Sequence, residues 1–258
     1  MDYFEKLEKN PYEDLKWNVP ERKQGAVNVI GGNANHFRTE MMVGEFLSKE
    51  YPVEKMNLVL PESLKNKLPP LDNFVFLPAT DSGSFAESQE LIDAFNAVDF
   101  IFLVGDLSKN KVTGKAMAGA CRGIEKMTLV TRDAVDALAE NEPEKLLMNE
   151  NLIMMASIPQ LIKLLHAVYY PKMLLQSQSL VQVSDVLHKF TLSYPVRIVT
   201  LHNEQVLVAE NGNVKAVPLG VTGYSPFMFW SGELAAKIVA MNLYNPNSFI
   251  KATISSLF

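Results

Sequence analysis

Short apolar runs, each closed by a small or polar turn and most followed by helical spacing, recur along this chain and constrain its fold more than any other feature. Ala26-Val27-Asn28-Val29-Ile30 ends in Gly31-Gly32-Asn33, with a helical pattern behind it (Met41, Met42, Phe46, Leu47). Runs at residues 57–60 and 74–77 are each closed by Pro, and Asp81-Ser82-Gly83-Ser84 announces a helix over 85–97. Phe100-Ile101-Phe102-Leu103-Val104 ends in Gly105-Asp106. Met127-Thr128-Leu129-Val130 ends in Thr131-Arg132-Asp133, before a helix over 134–139. Asn151-Leu152-Ile153-Met154-Met155 ends in Ala156-Ser157-Ile158-Pro159, with 160–167 helical behind it. Strands buried on both faces and separated by helices predict a doubly wound, largely parallel sheet. Ligands of such sheets lie at the carboxyl ends of the strands.

After a further helix over 180–190 the pattern changes. Val196-Arg197-Ile198-Val199-Thr200-Leu201 is a strand, and runs at 205–209 and 214–217 flank Glu210-Asn211-Gly212-Asn213, an Asn-Gly hairpin signal. Phe229-Trp230-Ser231-Gly232-Glu233 then reads as a tight turn into an apolar helix (Ala235, Ala236, Ile238, Val239, Ala240, Leu243). Backbone N–H groups of Ser231 and Gly232 at a helix start favour an anion. Glu233 in the first turn is favoured by the helix dipole and is a candidate base. A Ser N-cap followed by Glu serves helix stability equally well.

Composition narrows the partners. A net charge of −5 with no Lys/Arg stripe argues against nucleic acid or an anionic membrane as the main partner. The single Cys121 excludes an internal disulfide and a cysteine metal cluster, which points to a reducing compartment. Met1-Asp2-Tyr3-Phe4-Glu5-Lys6 is acidic and amphipathic, unlike a signal peptide, and no run reaches transmembrane length, so a cytoplasmic protein is expected. With no repeat or linker, residues 1–258 read as one domain, residues 1–24 being an arm laid over its body.

The order of these landmarks resembles the ribokinase-like superfamily, and within it the nucleotide-dependent NAD(P)H-hydrate dehydratases. A Pro-x-Arg-Lys lead (Pro20-Glu21-Arg22-Lys23) precedes Val29-Ile30-Gly31-Gly32-Asn33, similar to that family's IGG turn. The family's GPGLG turn is reduced to Gly105-Asp106-Leu107, and its VLDADALN strand end resembles the segment from Leu129 through Asp133 to Leu138. The LTPHPGE segment falls on Met154-Met155-Ala156-Ser157-Ile158-Pro159-Gln160, without its His and Glu. The VLKG strand resembles Val199-Thr200-Leu201-His202-Asn203, with His202 for Lys. The closing GSGDVLAGIIAALL resembles the stretch from Ser231 to Leu243, with Glu233 for Asp and Trp230 in place of a glycine approach.

The resemblance implies a three-layer α/β/α sandwich whose mostly parallel sheet carries an antiparallel hairpin near the C-terminal end. It implies ATP- or ADP-dependent dehydration of hydrated NADH or NADPH with Mg²⁺, and homo-oligomers are common in the family. Carried onto this chain, Glu233 is the catalytic base. Ser231, Gly232, His202, Asn203, Thr222 and Gly223 are the nucleotide side. Gly32, Asn33, Asn35, Gly105, Asp106 and Asp133 are the substrate side. The residues themselves leave alternatives open: Asn33, Asn35 and Asp106 suit turns, Asp133 suits a helix cap, and His202 suits a solvent-facing loop. His166 and His188 read as structural. The altered motifs also fit a protein of this fold that binds a nucleotide or a protein partner without turnover. Trp230 either closes the phosphate site or stacks on a ligand.

Overall fold

In the computed structural model, which describes residues 2–12, 24–51 and 53–258, the apolar runs become strands of one sheet. In chain order the elements are β1 (Phe4–Lys6), β2 (Gln24–Gly31), α1 (Arg38–Glu50), β3 (Val53–Pro61), β4 (Phe74–Leu77), α2 (Gln89–Asn96), β5 (Phe100–Gly105), α3 (Lys111–Cys121), β6 (Met127–Thr131), α4 (Asp133–Ala139), α5 (Pro143–Leu147) and β7 (Leu152–Met155). Then follow α6 (Ile158–Ala167), α7 (Leu180–Ser193), β8 (Arg197–His202), β9 (Gln205–Glu210), β10 (Asn213–Pro218), α8 (Pro226–Trp230), α9 (Glu233–Tyr244) and α10 (Phe249–Ser255). Among the described residues the strand order is β1-β10-β9-β8-β7-β6-β5-β2-β3-β4. Only β9 runs against the others, since it is antiparallel to both β8 and β10 while β1 is parallel to β10.

The sheet divides the core by its two-residue period. Phe100, Phe102 and Val104 of β5 face the cluster that holds Val43 of α1, Phe229 of α8, Leu234 of α9 and Phe249 of α10. Ile101 and Leu103 face the opposite cluster, with Leu91 of α2, Met117 of α3, Val135 of α4, Leu161 of α6 and Phe190 of α7. This is the expected three-layer sandwich with its hairpin. At the β9–β10 turn Asn211 and Gly212 have φ of 47° and 76°, as a two-residue turn matched to the strand twist requires.

Asn28, within β2, is 3% exposed; its Nδ2 donates to the Ala94 carbonyl at the end of α2 (2.6 Å), and its Oδ1 accepts from Asn57 Nδ2 (2.8 Å). Asn28→Ala would leave both partners unsatisfied in a buried place. We expect it to lower unfolding free energy by about 2 kcal/mol, read as a lower urea midpoint at unchanged m-value. An unchanged midpoint would remove this tie between sheet and helix from the account.

Several boundaries differ from expectation. Residues 4–6 do not lie over the body but form an edge strand in register with β10 (Phe4 opposite Val214), and the Tyr3 ring stacks on His188 at 3.8 Å. That packing agrees with a structural His188. Residues 13–23, which hold Trp17 and the Pro20-Glu21-Arg22-Lys23 lead, lie outside the described residues. α2 starts at Gln89 rather than 85: Phe85 bridges to Ala79, and Ser88 caps the helix by accepting from the Leu91 N–H. A second tight hairpin turn, Asn203-Glu204 with φ of 46° and 58°, joins β8 to β9. No helix of the described residues is long and apolar enough to cross a membrane.

Candidate functional site

The carboxyl ends of β2, β5 and β6 bring two glycine turns together. Gly32 (φ 87°) donates its N–H to the Gly105 carbonyl (2.9 Å), and a Cβ on Gly31 would stand 2.6 Å from both that oxygen and Glu40 Oε1. Gly105 (φ 124°) admits the next carboxylate, since a Cβ there would lie 2.5 Å from Asp133 Oδ1. Both glycines are thus required by close approach. Asn33 ties the turns: its Nδ2 donates to the Asp106 carbonyl (2.5 Å), and its Oδ1 accepts from the Asn35 and His36 N–H groups.

Four ionisable groups meet there. Asp106 (φ 53°) pairs through Oδ1 with Arg132 Nη2 at 2.6 Å and accepts from Thr39 Oγ1 through Oδ2. Asp133 is the first residue of α4 rather than its cap. Its Oδ2 accepts from the Leu107 N–H (2.9 Å), stapling the β6 end to the turn after β5, while Oδ1 is buried without a hydrogen-bond partner. Burial raises the Asp133 carboxyl above its ordinary range and the Asp106 charge adds to that, while backbone N–H groups oppose it. Glu40, one turn into α1, is 0% exposed, and neither of its oxygens is hydrogen-bonded by another residue. Burial first and the Asp106 charge second push it up to about 8, against its own backbone N–H and the weaker pull of Arg132.

Beside this cluster opens a cleft of about 700 Å³ lined by Asp106, Arg132, Asp133, Asp136, Ser157, Pro159, Gln160, Lys163 and Trp230. Gln160 reaches from α6 to donate to the Arg132 carbonyl (2.6 Å) and to Asp136 Oδ2, and Lys163 pairs with Asp136. The indole of Trp230 stands edge-on to Phe229 (4.6 Å between centroids) and forms part of the wall.

The helix-start residues stand next door. Gly232 (φ 104°), not Ser231, is the N-cap of α9, and a Cβ on it would lie 2.9 Å from Val43 and 3.3 Å from the Thr39 methyl. Through Thr39 this turn is therefore coupled to Asp106. The Ser231 N–H and hydroxyl both donate to the Met228 carbonyl (3.3 and 2.9 Å), closing α8, so that amide is engaged rather than open. Glu233 is half-buried, and its charge acts on Tyr224 and Tyr51, whose hydroxyls burial raises, and on Lys237, which burial lowers.

The remaining nucleotide-side residues gather at the β8–β9 turn. His202 is buried rather than solvent-facing: its Nε2 shares a hydrogen bond with the Gln178 carbonyl (2.7 Å) and contacts the Asn203 amide. Asn203 is an exposed turn residue. The Leu219 N–H donates to the Glu204 carbonyl (2.7 Å) and Thr222 Oγ1 to the Leu219 carbonyl, with exposed Gly223 following.

Sequence reasoning missed Glu40, Thr39 and Lys163. Glu40 carried a signal, because it falls on the stripe of Val43, Gly44 and Leu47 that α1 buries, and a charge on an apolar helical stripe marks a special environment.

A wide, almost wholly parallel sheet with one reversed strand, helices on both faces and a glycine-turn site at its strand ends defines a ribokinase-like α/β protein; the chain has the ribokinase-like fold. No family model and no curated protein matches its sequence. Among solved structures it is similar to a ribokinase-like superfamily protein of Enterococcus faecalis (TM-score 0.67, 14% identity, 100% of this chain and 85% of that one). It is similar also to a hypothetical protein of Streptococcus mutans (TM-score 0.66, 13% identity, 93% and 82%). The ADP/ATP-dependent NAD(P)H-hydrate dehydratase of Bacillus subtilis, co-crystallised with ATP and Mg²⁺, matches at TM-score 0.58 and 11% identity over 98% and 82%. These likenesses are of fold.

The dehydratase resemblance implies Mg²⁺. Among the described residues no group of three His, Cys, Asp or Glu side chains is arranged to hold a metal ion, the Glu40, Asp106 and Asp133 carboxyls included, and Asp106 already holds Arg132. The residues present do not fit a metal held by this chain.

Proposed function

We propose that the protein binds a nucleotide in the cleft at the ends of β5, β6 and β7, and uses ATP or ADP to dehydrate hydrated NADH or NADPH. The observation that carries this reading is the cleft itself: Arg132 and Lys163, each paired with an aspartate of the same wall, are cations that a phosphate would draw on, and Trp230 supplies a face for an aromatic ring. In the reaction, Glu233 takes the proton of the ring hydroxyl as its oxygen bonds to the terminal phosphorus and the anhydride P–O bond breaks. Phosphate then leaves as the C–O bond breaks and the neighbouring carbon gives up a proton, restoring the ring double bond. The Gly232 turn, set against α1, positions the carboxylate; such transfer asks a protein chiefly for positioning and charge stabilisation.

A second reading, binding without turnover, is favoured by the Ser231 amide being engaged with Met228. Glu also reaches one methylene further than the Asp of the family motif, and a misplacement of about an ångström costs about a hundredfold in rate. The test is recovery of absorbance at 340 nm from hydrated NADH with magnesium and ATP or ADP, alongside nucleotide binding. Recovery establishes dehydration; binding without recovery leaves the second reading; neither removes both. Trp230→Ala is expected to weaken nucleotide binding about tenfold through loss of the stacked face, read by calorimetry, and unchanged affinity would take Trp230 out of the site.

A further inference from the structure

Glu40 is a buried acid that the reaction above does not use. Its side chain lies against the Gly31-Gly32 turn with both oxygens lacking a partner from another residue, within the electrostatic reach of the Asp106–Arg132 pair that lines the cleft. Arg132 Nε is likewise buried and unpartnered, a donor on a cleft-lining residue with nothing yet to bind. We propose that Glu40 is a positioning residue for the anion side of the cleft: it must be uncharged for Arg132 to accept a ligand phosphate, so phosphate binding is coupled to a proton held in the Glu40–Asp106–Asp133 cluster. This rests on the reading of the cleft as a nucleotide site.

A phosphate that draws Arg132 towards itself weakens the cation that Asp106 holds among the described residues, leaving three carboxyl groups close together. Carboxyls so placed do not all ionise, and the proton settles where the charge is least supported. Asp106 keeps the Thr39 hydroxyl and Asp133 keeps the Leu107 N–H, whereas Glu40 has no donor from another residue, only the influence of its own backbone N–H. The charged groups facing Glu40 are Asp106 from the turn after β5, Arg132 at the cap of α4 and Asp133 at its first residue. Its rise to about 8 places the loss of that proton just above neutral pH. Once ionised, Glu40 competes with the ligand for Arg132 and repels the phosphate.

The experiment is calorimetric binding of ATP and of inorganic pyrophosphate, without added metal, from pH 6.5 to 9, to the wild type, Glu40→Gln, Glu40→Met and Glu40→Asp. The ligands' own titrations are common to all four proteins and cancel in the comparison. Wild-type affinity for both ligands is expected to fall by up to about tenfold between pH 7 and 9. The Gln and Met variants should lack that fall and the Asp variant should keep it. Equal slopes in the wild type and in whichever neutral variant folds would overturn the proposal, as would absence of pyrophosphate binding at every pH. Pyrophosphate binding with the expected profile but no ATP binding would leave the coupling standing and remove the nucleotide reading.

Discussion

Glu40→Gln is expected to raise the stability of the unliganded protein at pH 8 and to change it little at pH 5. In the fold the Glu40 carboxyl keeps its proton up to about 8, against an ordinary value of 4.5. Between those values the folded chain holds a proton that the unfolded chain has lost, so stability falls as pH rises through the window. The contribution is full below about 4.5 and gone by about 8, and it amounts to about 3–5 kcal/mol at most. Gln cannot ionise and escapes the loss, though its amide inherits the same unpartnered place. For a chain of this size the gain should appear as a rise in Tm of about 5–10 °C at pH 8. Thermal unfolding of both proteins at pH 5, 6.5 and 8 measures it. Parallel pH profiles would show that Glu40 is ionised in the fold, and that the cluster finds its proton elsewhere or needs none.

The second large effect is on turnover. With Glu233→Gln the nucleotide-dependent recovery at 340 nm should drop by about 10²–10⁴, because the hydroxyl loses the group that takes its proton. Nucleotide affinity should stay within about threefold, since Gln keeps the shape and the helix start is set by Gly232. A loss confined to KM would make Glu233 a binding group and reassign the base. An unchanged rate would detach the α9 turn from the chemistry altogether.

Much of the layer order was legible because it rests on local signals. Phe100 to Val104 is apolar at every position, so it had to be a strand covered on both faces, and Asn211-Gly212 names its own hairpin. Where expectation slipped, a strand pairing that helical spacing does not show had intervened, six residues away in one case and across the chain in the other. Phe85 looks helical until Ala79 pairs with it, and Phe4–Lys6 looks like an arm until β10 offers an unpaired edge. The site divides in the same way. Gly32, Gly105, Asp106 and Asp133 follow strand ends, where the family resemblance places the substrate side, and the fold brings them together around Asn33 and Leu107. Ser231 looked like the open start of α9, and became the close of α8 once Pro226–Trp230 turned helical beneath it.

The sequence by itself therefore determined the alternation of strands and helices, the hairpin, and the side of the sheet on which chemistry can occur. Each follows from periodicity and turn residues acting over a few positions. Only the tertiary structure decided that Glu40 is buried beside the Asp106–Arg132 pair, that His202 is spent on a backbone carbonyl, and that Trp230 walls the cleft. Burial and charge pairing are set by which distant segments meet, and the ionisation of a carboxyl answers to those neighbours rather than to the residues beside it in the chain.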